Sequence, residues 1–123
     1  MPRFPALHRL GPAVAIAALA TSAQAAPEPW PMVGRQGIIQ QVIVPLDQAR
    51  SRDAYLQQID RLCQGKETCF VNFYTNSTGA AAELPLPDAI ANEATAVMRR
   101  SAKQAAELFR WSCRLAMPEP NCF

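Results

Sequence analysis

The sequence predicts a small single α+β domain: a short sheet of two or three strands packed on two helices, the C-terminal one long, stapled by two disulfides. Three observations carry this. Two runs rich in β-branched and aromatic residues, GIIQQVIV at 37–44 and CFVNFYT at 69–75, read as strands. Two stretches, 47–63 and 87–116, repeat apolar residues at three- and four-residue steps, the period of a helix. Four cysteines, Cys63, Cys69, Cys113 and Cys122, fall in two close pairs.

Residues 1–25 are set apart from the fold. Arg3, His8 and Arg9 make a positive start, AVAIAALA at 13–20 is an apolar run, and Ala23-Gln24-Ala25 places small residues where a signal peptidase reads. This is the layout of a secretory signal peptide, with the mature chain beginning at Ala26. The apolar run is far shorter than the roughly 20 residues that cross a bilayer, so no membrane insertion is expected after cleavage. The Ala-, Pro- and Arg-rich composition points to a bacterial chain, and hence to a periplasmic or secreted location. Arg3 and Arg9 leave with the leader. Of 12 Lys and Arg, ten then face ten Asp and Glu, so the mature chain is formally neutral. No basic stripe remains to neutralise phosphates, and no nucleic acid partner is expected.

The remaining elements follow in order. Residues 26–36 form an extended Pro-rich segment anchored by Trp30, and 37–123 the single disulfide-stapled domain. Gly37 to Val44 is the first strand, bounded by Pro45. The stretch around Met32 and Val33 is the source of a third strand, because two alone are marginal. In the helix at 47–63, Ala49, Leu56, Ile59 and Leu62 form the apolar stripe, with Tyr55 at its edge. Asp47 or Ser51 is its N-cap, and Gly65 the left-handed residue past its end. A strand–helix–strand unit implies a crossover between parallel strands. From 87 to 116, Ile90, Ala94, Val97, Met98, Ala105, Leu108, Phe109 and Cys113 make the stripe of the long helix, with Arg99, Arg100, Lys103 and Arg110 off it. Pro118 and Pro120 end it.

An even cysteine count in an oxidising compartment reads as disulfides. Cys63–Cys69 and Cys113–Cys122 are favoured, because each pair brackets one short connection. Each would contribute about 2–3 kcal/mol on the chain-entropy model. The crossed pairings close longer loops, so energetics alone does not choose among them.

The mature chain has no histidine, since His8 lies in the leader. That removes Ser-His-Asp and Cys-His catalysis and the commonest metal ligand. The cysteine spacings suit neither zinc nor a C-x-x-C redox motif, and no Gly-rich phosphate loop exists. No metal, no cofactor and no catalytic residue is assigned. A carboxylate pair of the glycosidase kind is the surviving enzymatic route, from Asp47, Asp53, Asp60, Glu67 and Glu93. Most of these sit beside basic residues on solvated helix faces.

In strand 69–75, Cys69, Val71, Phe73 and Thr75 share one face, and Phe70, Asn72 and Tyr74 share the other. The second set, continued by Asn76, Ser77 and Thr78, is an aromatic–amide strip suited to a protein or cell-wall glycan partner. The competing arrangement lays the N-terminal segment, with Trp30, over that face and makes Phe70 and Tyr74 core. The expected function is therefore a non-catalytic binding module, inhibitor- or immunity-like. The alternatives are an accessory component of a cell-envelope complex, contacted through Arg99, Arg100 and Lys103 of the long helix, and a carboxylate-based hydrolase.

Overall fold

The structure is a computed structural model that describes residues 2–3, 5, 11–19 and 27–123. His8, the Ala23–Ala25 cleavage motif and Ala26 lie outside the described residues. The sheet has five strands in the order β1 (Met32–Gln36), β2 (Ile39–Ile43), β3 (Cys69–Tyr74), β4 (Ala94–Ser101) and β5 (Ala106–Trp111). The β1–β2, β3–β4 and β4–β5 pairs are antiparallel and β2–β3 is parallel. One helix of 11 residues, α1 (Arg52–Leu62), joins the two parallel strands. A four-residue helical turn, α2 (Asp88–Ala91), precedes β4. No helix of the described residues is long and apolar enough to cross a membrane.

The expected sheet of two or three strands on two helices is thus corrected to a five-stranded mixed sheet with one substantial helix. The error lies in 87–116. Val97 and Met98, and likewise Leu108 and Phe109, are adjacent apolar pairs that fit a helical stripe equally well. Here they alternate across strands: Met98 sits opposite Phe109 toward the core, while Val97 sits opposite Arg110 on the other side. The hairpin that joins them, Ser101 to Ala106, contains no Gly, Pro, Asn or Asp to announce a turn. Its left-handed position is filled by Ala105, at φ 47°. An alanine there carries a steric cost of about 1–2 kcal/mol that glycine avoids. Ala105→Gly is therefore expected to stabilise the domain by about 0.5–1 kcal/mol, read as a higher urea midpoint at unchanged m-value.

Both disulfides form as favoured from spacing, Cys63–Cys69 and Cys113–Cys122. Gly65 takes φ 68° just past α1, and the Ser51 hydroxyl accepts from Ala54 N at 3.4 Å as the N-cap.

The core lies between α1 and one face of the sheet. Val42, Val71, Phe73, Ala96, Met98 and Trp111 meet Tyr55 and Ile59 of α1. Tyr55 is the centre of this core rather than the edge of a stripe, and Leu56, expected in the stripe, is 43% exposed. Four rings, of Trp30, Phe73, Phe109 and Trp111, approach the Tyr55 ring edge-on with centroids 5.0–5.6 Å away. The Tyr55 hydroxyl donates to the Ala49 carbonyl at 2.7 Å and shares a hydrogen bond with the Thr95 hydroxyl at 2.9 Å. Trp30 is thereby placed on the helix side of the sheet. Its amide donates to the Gln58 Oε1 and its indole N–H to the Gln48 Oε1. It does not lie over Phe70 and Tyr74.

Candidate functional site

With α1 on one face, the other face of the sheet carries no long helix. The strand register orders its side chains into rows. One row runs Gln36, Ile39, Phe70, Arg99 and Leu108. The next runs Gly34, Gln41, Asn72, Val97 and Arg110. The loop that follows β3 returns over part of this face. Leu84 occupies the space above Gly34, where a Cβ would stand 2.8 Å from the Leu84 Cδ1, so the glycine is what lets the loop approach. Gln41, opposite Gly34, is fully buried, and its Oε1 has no hydrogen-bond partner among the described residues.

The first row remains half-open. Ile39, Phe70 and Arg99 are half-buried and Leu108 is 47% exposed. The Arg99 guanidinium stands over the Phe70 ring, its Cζ 5.4 Å from the centroid. It donates to the Val71 and Met98 carbonyls at 3.1 and 2.9 Å and to the Asn72 Oδ1 at 2.6 Å. The Asn72 amide in turn donates to the Tyr74 hydroxyl at 3.3 Å. Burial lowers the Arg99 pKa, but a guanidinium stays protonated at any physiological pH. Among the described residues its acceptors are carbonyl oxygens, and no carboxylate pairs with it.

The strip singled out in the sequence divides in two. Phe70, Asn72 and Tyr74 share the helix-free face. Asn76 closes the loop instead: its amide donates to the Ala80 carbonyl at 2.8 Å, and its Oδ1 accepts from Ala80 N at 3.1 Å. Ser77 and Thr78 are exposed at the loop tip. Ile39 and Leu108 were not singled out in the sequence as contact residues, and Arg99 was expected to make contact only as part of a long helix. The alternation of 96–100 and 107–111 would have found Arg99 and Leu108 had those stretches been read as strands; Ile39 lies in the 37–44 run, already read as one. The arginine face of a long helix does not exist. Arg99 lies on the helix-free face, Arg100 pairs with Glu107 at 3.2 Å on the opposite one, and Lys103 sits in the hairpin turn.

The carboxylates are scattered. Asp47, Asp53, Asp60 and Glu67 are exposed. Glu93 is the one built into a network. It accepts from the Thr75 hydroxyl at 2.9 Å and from Ser77 N at 3.0 and 3.1 Å, while Arg114 donates to its backbone carbonyl at 2.7 Å. Burial pushes the Glu93 pKa up, but hydrogen bonds from Ser77 and Thr75 and the Arg114 charge outweigh it and hold the carboxyl below its ordinary value. An acid held ionised in this way clamps a loop and is poorly suited to donate a proton. Among the described residues no group of three or more His, Cys, Asp or Glu could hold a metal ion.

Two recesses lie elsewhere. One, of about 530 Å³, opens at the hairpin tip beside Glu67, Arg100 and Glu107. The other, of about 410 Å³, is bordered by Pro27, Pro29, Trp30, Pro31 and Pro45. Among the described residues, none of the buried polar atoms without a partner belongs to a residue lining either recess. Comparison with protein-family models, with curated proteins and with solved structures gave no match for this chain.

Proposed function

We propose that this chain is a small secreted or periplasmic binding module, inhibitor- or immunity-like, whose contact surface is the half-open row of the helix-free face. One observation carries the reading: Ile39, Phe70, Arg99 and Leu108 stand side by side across four strands with a guanidinium that no carboxylate of the described residues pairs with. Arginine is enriched in binding hot spots, and aromatic side chains such as Phe70 are enriched in interfaces around them. The matching partner is a protein that presents an acidic side chain framed by apolar groups. The oxidised cysteine pairs agree with a compartment outside the cytosol.

The test uses the oxidised protein immobilised against periplasmic and secreted extract. Wild type is expected to retain one protein near stoichiometry. Leu108→Glu, which places a like charge before an acidic partner, is expected to weaken that retention at least about 100-fold while thermal unfolding is unchanged. Equal retention by wild type and Leu108→Glu removes this face as the contact surface. Retention of glycan instead of protein by the same resin overturns the choice of partner.

A further inference from the structure

We propose that the Cys113–Cys122 disulfide is a redox-releasable latch that holds the segment 118–123 over the edge of β5. The two disulfides differ sharply in access. Cys63 and Cys69 are 1% and 2% exposed, inside the core, whereas Cys113 and Cys122 are both exposed. Exchange requires a thiolate to reach a disulfide sulfur, so the exposed bridge reacts first.

What the bridge holds is also defined. β5 is an edge strand. Just beyond its end, Phe123 pairs with the chain as an added strand residue would. Its N–H donates to the Trp111 carbonyl at 3.0 Å, and its carbonyl accepts from Cys113 N at 2.8 Å. Arg110 donates through Nε to the Asn121 carbonyl at 2.8 Å and through Nη2 to the Cys122 carbonyl at 3.0 Å. Beyond these, an exposed ion pair joins Glu119 to Arg52. Arg110 and the ion pair are solvent-facing contacts that hold the segment 118–123 weakly without a covalent tie.

The chemistry balances with a dithiol reductant. One of its thiolates attacks a sulfur of the bridge, forming a mixed disulfide and expelling the other cysteine as a thiolate, which takes up a proton. The second thiol of the reductant then displaces the remaining cysteine. Two electrons pass to the protein, two free thiols result, and the reductant leaves as its own disulfide. Release of the tail frees the backbone polar groups of Trp111 and Cys113 and both donors of Arg110. Arg110 stands in the row beside Arg99, so the released form presents a second guanidinium on the helix-free face. That last consequence rests on the binding reading above; the latch itself does not.

The experiment treats the folded, oxidised protein with graded dithiothreitol, blocks free thiols by alkylation, and maps them by mass spectrometry beside amide hydrogen exchange. Cys113 and Cys122 are expected to be alkylated at a reductant concentration at least about tenfold below that which opens Cys63–Cys69. In that form the amides of Cys113 and Phe123 lose protection while those of β3 and β4 keep theirs. Cys122→Ser is expected to show the same exchange pattern without reductant. The latch is overturned if both bridges open together, or if the Cys113 and Phe123 amides stay protected once their bridge is open. Neither readout involves a partner, so its failure is separable from failure of the binding reading.

Discussion

Tyr55→Ala is expected to destabilise the domain by about 3–5 kcal/mol, a large share of the stability of a domain of this size. The residue is fully buried, and its ring touches those of Trp30, Phe73, Phe109 and Trp111 together. Truncation opens a cavity at the meeting point of α1, β3 and β5, and it strands the Thr95 hydroxyl and the Ala49 carbonyl. Urea unfolding followed by tryptophan fluorescence measures the loss directly. A cost below about 1 kcal/mol would show that the ring cluster does not organise the core. Tyr55→Phe keeps the ring and removes only the hydroxyl, for an expected cost of about 1–2 kcal/mol.

The same hydroxyl sets an alkaline limit. Burial pushes the Tyr55 pKa up to about 12, against the opposing hydrogen bond with Thr95 and the charge of Arg114. In the unfolded chain this phenol ionises near its ordinary value of 10. Below that pH both states hold the proton and nothing is lost. As pH rises from about 10 to about 12 the unfolded state releases it first, so stability falls across this window. In Tyr55→Phe the part of the fall that belongs to this group disappears.

Removing the buried bridge by the double change Cys63→Ala with Cys69→Ala is expected to cost about 2–5 kcal/mol. This bridge ties the end of α1 to the start of β3, the two elements that flank the parallel crossover. Without it the 64–68 connection is free in the unfolded chain, and both positions leave small voids in the core. The parallel double change at Cys113 and Cys122 removes a bridge at the surface. It should cost less, because Cys113 and Cys122 are exposed and their truncation leaves no void in the core. Denaturant unfolding of the two double variants side by side decides the order. An equal or larger loss from the surface pair would mean that the tail is part of the cooperative core.

The parts of this fold that were legible in the sequence are those governed by local physics. Short connections favour the pairing of Cys63 with Cys69 and of Cys113 with Cys122 over the crossed alternatives, and the structure has these pairs. The β-branched run of β2 and the alternation CFVNFY of β3 announce strands, and Ser51 and Gly65 mark the ends of α1 within a few residues. The division of β3 into a core face and a mixed face is also written in its alternation.

Only the tertiary structure decided the rest. Residues 94–111 carry Ala, Met, Arg, Lys and Gln, whose helix preference amounts to a few tenths of a kcal/mol per residue. Pairing with β3 and burial of Ala96, Met98 and Trp111 against α1 outweigh that preference. The turn between β4 and β5 is imposed on an alanine by the strands it joins, so no turn residue reveals it. The choice of sheet face for α1 likewise depends on where Tyr55 finds its four aromatic neighbours, which are separated along the chain by up to 56 residues, from Tyr55 to Trp111. That choice leaves Phe70, Arg99 and Leu108 half-open together. Local sequence specifies which residues alternate; long-range burial specifies which of the two faces meets water.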